Sequence, residues 1–307
     1  MRTLFFGTPA IAARALEALH ATTDVVGVVC QPDRPAGRGL ELKPPETKVY
    51  ALEHGIPVHQ PKKVRTTAFA DWVREQKADY GVVIAYGRIL PKAVLDGPAG
   101  GCLNLHASIL PKYRGAAPIN WAIVHGETET GFSLMQMDEG MDTGPVFSIR
   151  RIPIGPDETA GELYVRLGDL SQEVIREALP RVASLTAAPQ DHDAATMAPM
   201  LKREDGFVDW SQSATRVHDH VRGMTPWPGA HTTLDGKRLK VLRTGRYEGE
   251  VEGPPGTVRA LGRKRLLVAC ADGGVELHEA QLAGRKALPA PQLLGGRVLS
   301  DGLRLGR

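Results

Sequence analysis

The chain has 307 residues, 42% of them hydrophobic and 24% charged, with a formal net charge of +3. That length favours two domains, each able to bury its own core, and the composition is that of an ordinary globular protein. No run approaches the ~18 apolar residues of a membrane span. Cys30, Cys102 and Cys270 stand far apart with no Cys-x-x-Cys pair, which argues against a disulfide framework and a thiolate metal site and fits a reducing, cytoplasmic setting.

The start, Met1–Gly7, has one basic residue and a short apolar run, so it reads as a buried strand over Thr3–Gly7 rather than a signal peptide. Thr8 can cap a helix with Pro9 at its first position, and Ile11, Ala15 and Leu19 give that helix its buried stripe. Asp24–Cys30 is a Val-rich second strand of the buried parallel kind. The opening has the outline of a dinucleotide-binding βαβ unit, but Thr8-Pro9 stands where a second glycine is needed, so no nicotinamide cofactor is expected. Gln31–Pro45 then holds four prolines, two glycines and Arg34, Arg38 and Lys43. It is either a surface insertion or a basic arm that reaches a phosphate backbone or base edges.

Helices are expected at Glu46–His54, Thr67–Gln76 and Ala117–His125, and strands at Ile56–His59, Tyr80–Ala85 and Cys102–His106. Trp121 is assigned to the core. Alternating strands and helices predict a doubly wound, mostly parallel α/β sheet. Within Cys102–His106, Leu103 and Leu105 share one face and Asn104 and His106 the other. Alone this reads first as an edge strand with a solvated Asn and His. Yet ligands in open α/β sheets bind at the carboxyl ends of strands, where these two polar side chains stand. Pro111 and Gly115 break the pattern. Gln136–Pro145 is an acidic, Gly-bounded loop between strand-like runs at Gly131–Met137 and Val146–Ile154, and its spacing is not that of a calcium loop.

Thr159 and Glu162 form a capping box, followed by a helix with Leu163, Leu167, Leu170 and Val174 on one face and Pro180 past its end. Ala187–Ala198 is rich in Ala, Pro and Asp without periodicity. It marks a linker, in which His192 is solvated. Ser211 or Ser213 caps a helix over Ala214–Gly223, and Thr225–Gly229 is a Pro-rich turn. Short strands follow, joined by Asp-Gly hairpins at Asp235-Gly236 and Asp272-Gly273. This is an all-β module, expected to be a small barrel of the oligonucleotide-binding (OB) type. Domains are therefore placed at 1–186 and 206–307, with the linker at 187–205. Residues 206–307 hold 16 basic and 10 acidic residues, a net +6, against 22 basic and 25 acidic over 1–205, a net −3. Lys237, Arg238, Lys240, Arg263, Lys264 and Arg265 cluster near the turns of the second domain, where a basic small barrel fits a polyanionic substrate.

Asn104-Leu-His106-Ala-Ser108-Ile-Leu-Pro111, followed by Met141-Asp142-Thr143-Gly144, resembles the Asn/His/Asp site of the folate-dependent formyltransferases. Gln31–Gly39, Lys112–Trp121 and Pro226–Ala230 narrow the resemblance to the branch of that family whose acceptor is methionyl-tRNA. It covers nearly the whole chain, with five motifs in order. It implies formyl transfer from 10-formyltetrahydrofolate to the α-amino group of methionine on initiator tRNA, by a monomer with no membrane partner. It also implies a C-terminal OB-like domain that binds tRNA, and an Arg38-tipped arm that enters the tRNA acceptor end.

Acyl transfer to an amine needs donors for an oxyanion, deprotonation of the attacking ammonium and a proton for the departing nitrogen. Asn104 supplies a neutral donor, His106 a titratable one, and Asp142 orients His106 and manages proton transfer. Ser108, Ile109, Leu110 and Pro111 contact the folate by resemblance, although Ser108 also suits a turn in which it bonds its own backbone. No metal is expected, since Asn/His/Asp without a second His or Cys is a poor transition-metal set. Rival readings are a glycinamide ribonucleotide or amino-sugar formyltransferase, and a tRNA-binding module without catalysis. The arm and the basic domain weigh against the first, the intact Asn104, His106 and Asp142 against the second.

Overall fold

Thr3, Leu4, Phe5 and Phe6 are fully buried, and the strand that carries them, β1 (Arg2–Gly7), anchors a seven-stranded sheet. The computed structural model describes residues 1–36 and 41–306. It separates into two units: Met1–Pro118, Thr130–Ile152 and Tyr164–Pro199 form the first, and Ile119–Glu129, Pro153–Leu163 and Met200–Arg307 the second. The stretch expected as a linker, 187–205, is divided between them. Among the described residues no helix is long and apolar enough to cross a membrane.

The strands of the first unit are β2 (Asp24–Val29), β3 (Arg34–Ala36), β4 (Glu41–Lys43), β5 (Val58–His59), β6 (Tyr80–Ile84), β7 (Cys102–His106), β8 (Arg114–Gly115), β9 (Glu129–Gln136), β10 (Val146–Pro153) and β11 (Met197–Ala198). The main sheet runs β10-β9-β7-β6-β1-β2-β5. β5, β2, β1, β6 and β7 are parallel, and β9 is antiparallel to β7. The helix Ala10–Thr22 buries Ile11, Ala12, Ala15, Leu16 and Leu19. The helix Ala160–Ala178 opens with both halves of the capping box, Thr159 N donating to Glu162 Oε2 at 2.8 Å and Glu162 N to Thr159 Oγ1 at 3.2 Å. Its Leu163, Leu167, Leu170 and Val174 are all buried.

Two local readings change. Pro9, not Thr8, sits at the N-cap of the first helix, because the Thr8 hydroxyl is turned to Tyr86 O at 3.3 Å. Gln31–Pro45 is not coil throughout, since β3 and β4 pair antiparallel with Arg34 opposite Lys43. Positions 37–40, and with them Arg38, lie outside the described residues.

The second unit holds β12 (His231–Leu234), β13 (Lys237–Tyr247), β14 (Val258–Leu261), β15 (Arg265–Ala269), β16 (Gly274–Leu282) and β17 (Leu288–Pro289). They form one antiparallel sheet ordered β12-β13-β16-β15-β14, with β17 on β16. The turn between β12 and β13 is Asp235-Gly236, both at positive φ (46° and 71°), as a two-residue type I′ hairpin requires. The end of the chain ties the two edge strands together. Leu305 N donates to Gly256 O at 2.8 Å, Gly306 N to Thr233 O at 2.9 Å, and Val258 N to Leu303 O at 2.7 Å. Neither edge is left as an open template. Ser213 caps the helix Ala214–Gly223, its hydroxyl accepting from Arg216 N at 3.3 Å. Trp121, expected in the core, is half-buried with its ring against His125.

His218, on that helix, donates from Nε2 to Pro156 O at 3.1 Å and meets Thr244 Oγ1 at 3.0 Å. Burial pushes His218 below its ordinary 6.5, with the Pro156 bond and Asp157 opposing, and burial does the same to His220. A histidine whose folded pKa is lowered contributes stability that is complete above its unfolded pKa and is lost as pH falls below it, because the unfolded state takes up more protons. His59 and His125 are lowered in the same direction. The melting temperature should therefore fall between about pH 7.5 and about pH 5.5, with a shallower fall in His218→Gln. A melting temperature that is flat or rises on acidification would contradict this.

Candidate active site

The alternation of β7 sends Leu103 and Leu105 into the core and leaves Asn104 half-buried at the carboxyl end of the strand. Asn104 Nδ2 donates to Asp142 Oδ1 at 3.1 Å, and Gly115 N donates to Asp142 Oδ2 at 2.8 Å. His106 is 6% exposed and its Nε2 lies 2.8 Å from Tyr113 O. A carbonyl only accepts, so Nε2 carries the proton. That leaves Nδ1 facing Asp142 Oδ2 at 3.6 Å. The three side chains that the sequence singled out are thus brought together, with both oxygens of one carboxylate engaged.

Asp142 is held in the left-handed region, φ 54°, where a side chain is disfavoured and the surroundings must supply the constraint. Gly144 lets the loop lie against β9, since a Cβ there would stand 2.0 Å from Gln136 O. Gly115, at φ 121°, lets the other side approach, since its Cβ would stand 2.7 Å from Ala198 O.

The turn after β7 is built on itself. Ser108 is fully buried and its hydroxyl donates to Lys112 O at 2.6 Å. Ser133 Oγ donates to Ser108 O at 2.8 Å and accepts from Leu110 N at 3.0 Å. Of the four residues expected against folate, Ile109 and Pro111 are half-buried and Ser108 and Leu110 are buried.

Sequence reasoning missed what holds the loop. The stretch read as a linker runs along the site instead. Thr196 Oγ1 accepts from Tyr113 N at 2.9 Å, Thr196 O accepts from Arg114 N at 2.8 Å, and β11 pairs parallel with β8. Gln190 donates to Asp142 O at 2.8 Å and Gly144 O at 2.7 Å. His192, expected to be solvated, is exposed but accepts on Nδ1 from Arg114 at 3.2 Å. No periodicity or motif marked these residues, because a strap that bonds through single side chains has neither.

Beyond the ends of β2 and β5, a polar network fixes the root of the β3–β4 ribbon. Lys48 Nζ meets Asp33 Oδ2 at 2.8 Å and Gln60 Oε1 at 3.0 Å, and Gln60 Nε2 donates to Asp33 Oδ1 and Gln31 O, both at 2.8 Å. These bonds from Gln60 and Lys48 hold the Asp33 carboxyl below its ordinary range. Gln31 accepts from Arg88 Nε at 3.0 Å and donates to Tyr86 O at 3.1 Å.

In the second unit, Lys237, Arg238 and Lys240 are exposed on β13, and Arg263 and Lys264 are exposed in the turn before β15. Arg265 is placed differently. Its Nε and a terminal nitrogen pair with Glu276 at 2.9 and 2.6 Å, and its guanidinium stands over the Tyr247 ring. Arg238 donates to His231 Nδ1 at 3.0 Å.

Residues 1–179 match the Formyl transferase family, and residues 200–297 match the Formyl transferase, C-terminal domain family. The chain belongs to the formyl transferase family. A protein of Sorangium cellulosum named methionyl-tRNA formyltransferase is 62% identical over 312 residues, covering 100% of both chains. One of the same name from Geobacter sulfurreducens is 49% identical over 309 residues, covering 100% of this chain and 97% of its own. Among solved structures, the sugar 3N-formyl transferase WlaRD, determined with dTDP and 5-N-formyl-THF, has a TM-score of 0.69 at 16% identity, covering 93% of this chain and 99% of its own. That likeness concerns the fold, which family members with different acceptors share.

The packing of the acidic loop leaves no room for a Cβ at Gly144. Gly144→Ala must push either β9 or the loop aside, at about 1–3 kcal/mol of overpacking. Thermal melting and a formyl-transfer assay together should show a lowered melting temperature and a lowered kcat. Wild-type values of both would contradict the close approach to Gln136.

Proposed function

We propose that the chain transfers the formyl group of 10-formyltetrahydrofolate to the α-amino group of methionine on initiator Met-tRNA. The observation that carries this reading is the convergence of Asn104, His106 and the Gly115 N–H on one carboxylate, Asp142, at the carboxyl end of a parallel strand. Full-length relatives named for this activity support the acceptor.

The reaction forms a bond between the methionine nitrogen and the formyl carbon, and breaks the bond from that carbon to folate N10. The methionine ammonium first loses a proton, because only the free amine attacks. The tetrahedral adduct then loses a second proton from the same nitrogen while N10 gains one, so one proton is released overall. Among the described residues the bond to Asp142 is the one hydrogen bond of the Asn104 amide, which leaves its second N–H for the formyl oxygen as negative charge develops there. His106 donates its Nε2 proton to Tyr113 O, so its proton traffic is confined to Nδ1, the edge that faces Asp142. Asp142 is the base nearest that edge, and it also keeps Asn104 turned toward the reacting carbon.

Ile109 and Pro111, half-buried in the turn, are the residues of the expected folate set best placed for contact, with Ser108 and Leu110 shaping the turn behind them. The acceptor side is assigned to the arm that carries Arg38 and to the basic surface of the second unit. There Lys237, Arg238, Lys240, Arg263 and Lys264 present charge to phosphates, while Arg265 is committed first to Glu276. The protein acts as a monomer in the cytoplasm.

Asn104→Ala removes one oxyanion donor and should lower kcat by ~10²–10³ with little change in folate binding. Asp142→Asn should lower kcat with the folate Kd near wild type. Wild-type kcat in both would place the reaction elsewhere. On the acceptor side, replacing both Lys237 and Lys240 by Ala should make the salt dependence of Met-tRNA binding shallower, by about one unit of log–log slope for each lost phosphate contact. An unchanged slope in the folded variant would remove β13 from the tRNA surface.

A further inference from the structure

Gln190 is 9% exposed and its side-chain amide is committed on both ends. The nitrogen donates to Asp142 O at 2.8 Å and Gly144 O at 2.7 Å. The oxygen accepts from Arg114 Nε at 3.2 Å and from a terminal guanidinium nitrogen at 2.7 Å. Guanidinium groups only donate and carbonyls only accept, so the amide has one possible orientation. Arg114 is 6% exposed. Among the described residues it makes no ion pair, and its side chain bonds to Gln190 and to His192 Nδ1. A guanidinium buried against neutral partners is costly unless hydrogen bonds satisfy it. Here the geometry closes on Asp142. Gly115, the residue after Arg114, donates its N–H to Asp142 Oδ2 at 2.8 Å. The same strand therefore grips Asp142 twice, directly at the carboxylate and, through Gln190, at the main chain on both sides of Thr143.

We infer that Gln190, braced by Arg114, is a positioning residue that keeps Asp142 in its left-handed conformation and its carboxylate aimed at Asn104 and His106. The inference rests on the reading of Asp142 as a catalytic group. A carboxylate displaced by about 1 Å can lose up to about 100-fold in rate, so the clamp is worth a kinetic effect without touching substrate.

The test compares Gln190→Leu, Gln190→Glu, Asp142→Asn and the double variant Gln190→Leu/Asp142→Asn in the full-length chain, reading kcat, KM for 10-formyltetrahydrofolate and melting temperature. Gln190→Met, close in shape, takes the place of Gln190→Leu if that variant does not fold. Gln190→Leu should lower kcat by up to about 100-fold with KM for the donor unchanged. Gln190→Glu keeps an acceptor for Arg114 but loses both N–H donors and sets a carboxylate against two carbonyls, so its kcat should fall at least as far. In the Asp142→Asn background the Gln190 change should add no further loss, because it acts through the group already removed. Wild-type kcat in either Gln190 variant, or losses that multiply in the double variant, would overturn the clamp while leaving an impaired Asp142→Asn standing. Wild-type kcat in Asp142→Asn would overturn the catalytic reading and the clamp together.

Discussion

Asp142 accepts hydrogen bonds on both carboxylate oxygens, from Asn104 Nδ2 and from the Gly115 N–H, while its main chain is stapled by Gln190. Everything around it serves that arrangement. β7 carries Asn104 and His106 side by side toward the carboxyl end of the parallel strands. The self-bonded turn after it, with Ser108 and Ser133 at its centre, returns the chain so that Tyr113 O fixes the imidazole and Gly115 reaches the carboxylate. Gly144 brings the acidic loop within reach of β9. The buried apolar side of β7, Leu103 and Leu105, carries no chemistry but fixes the strand against its neighbours, so the polar side cannot slip by one residue without turning inward.

The site is thus a set of neutral donors and one carboxylate held by backbone and amide bonds. Such preorganisation suits a reaction whose barrier lies in charge developing on a formyl oxygen and in proton movement between two nitrogens. The features proposed for acceptor recognition use different physics. The ribbon of β3 and β4 is rooted by the Asp33, Lys48 and Gln60 network. The second unit closes its sheet with its own C-terminal segment and turns a row of lysines and arginines outward. One region gives directional bonds at short range, and the other gives charge that acts over a Debye length.

Much of this was legible from residue order alone. The second strand announced itself as a Val-rich run, the capping box at Thr159 and Glu162 appears as written, and the Asp235-Gly236 hairpin follows from the φ values only such residues take readily. Asn104, His106 and Asp142 were legible because they lie in motifs, and the structure brings them within hydrogen-bonding or ion-pair distance. What stayed hidden depends on contacts between segments distant in sequence. Gln190 and Asp142 are 48 positions apart, and nothing local to Ala187–Ala198 says that it runs along the site. Thr8 looked like a cap because its neighbour Pro9 suits a first turn, but a carbonyl from Tyr86 claims its hydroxyl. Arg265 looked like one more surface charge, and only the cross-strand register, which sets Leu267 opposite Glu276 beside it, shows that it has a carboxylate partner.

The acceptor is the central claim, because the fold and the carboxylate site would serve any formyl transfer to an amine. The most direct measurement follows labelled formyl from 10-formyltetrahydrofolate with the purified full-length chain, offered initiator Met-tRNA, glycinamide ribonucleotide or a nucleotide-linked amino sugar in parallel. Label should appear on the methionine of the tRNA and not on the two small acceptors. Transfer to either small acceptor with Met-tRNA left unmodified would contradict the account.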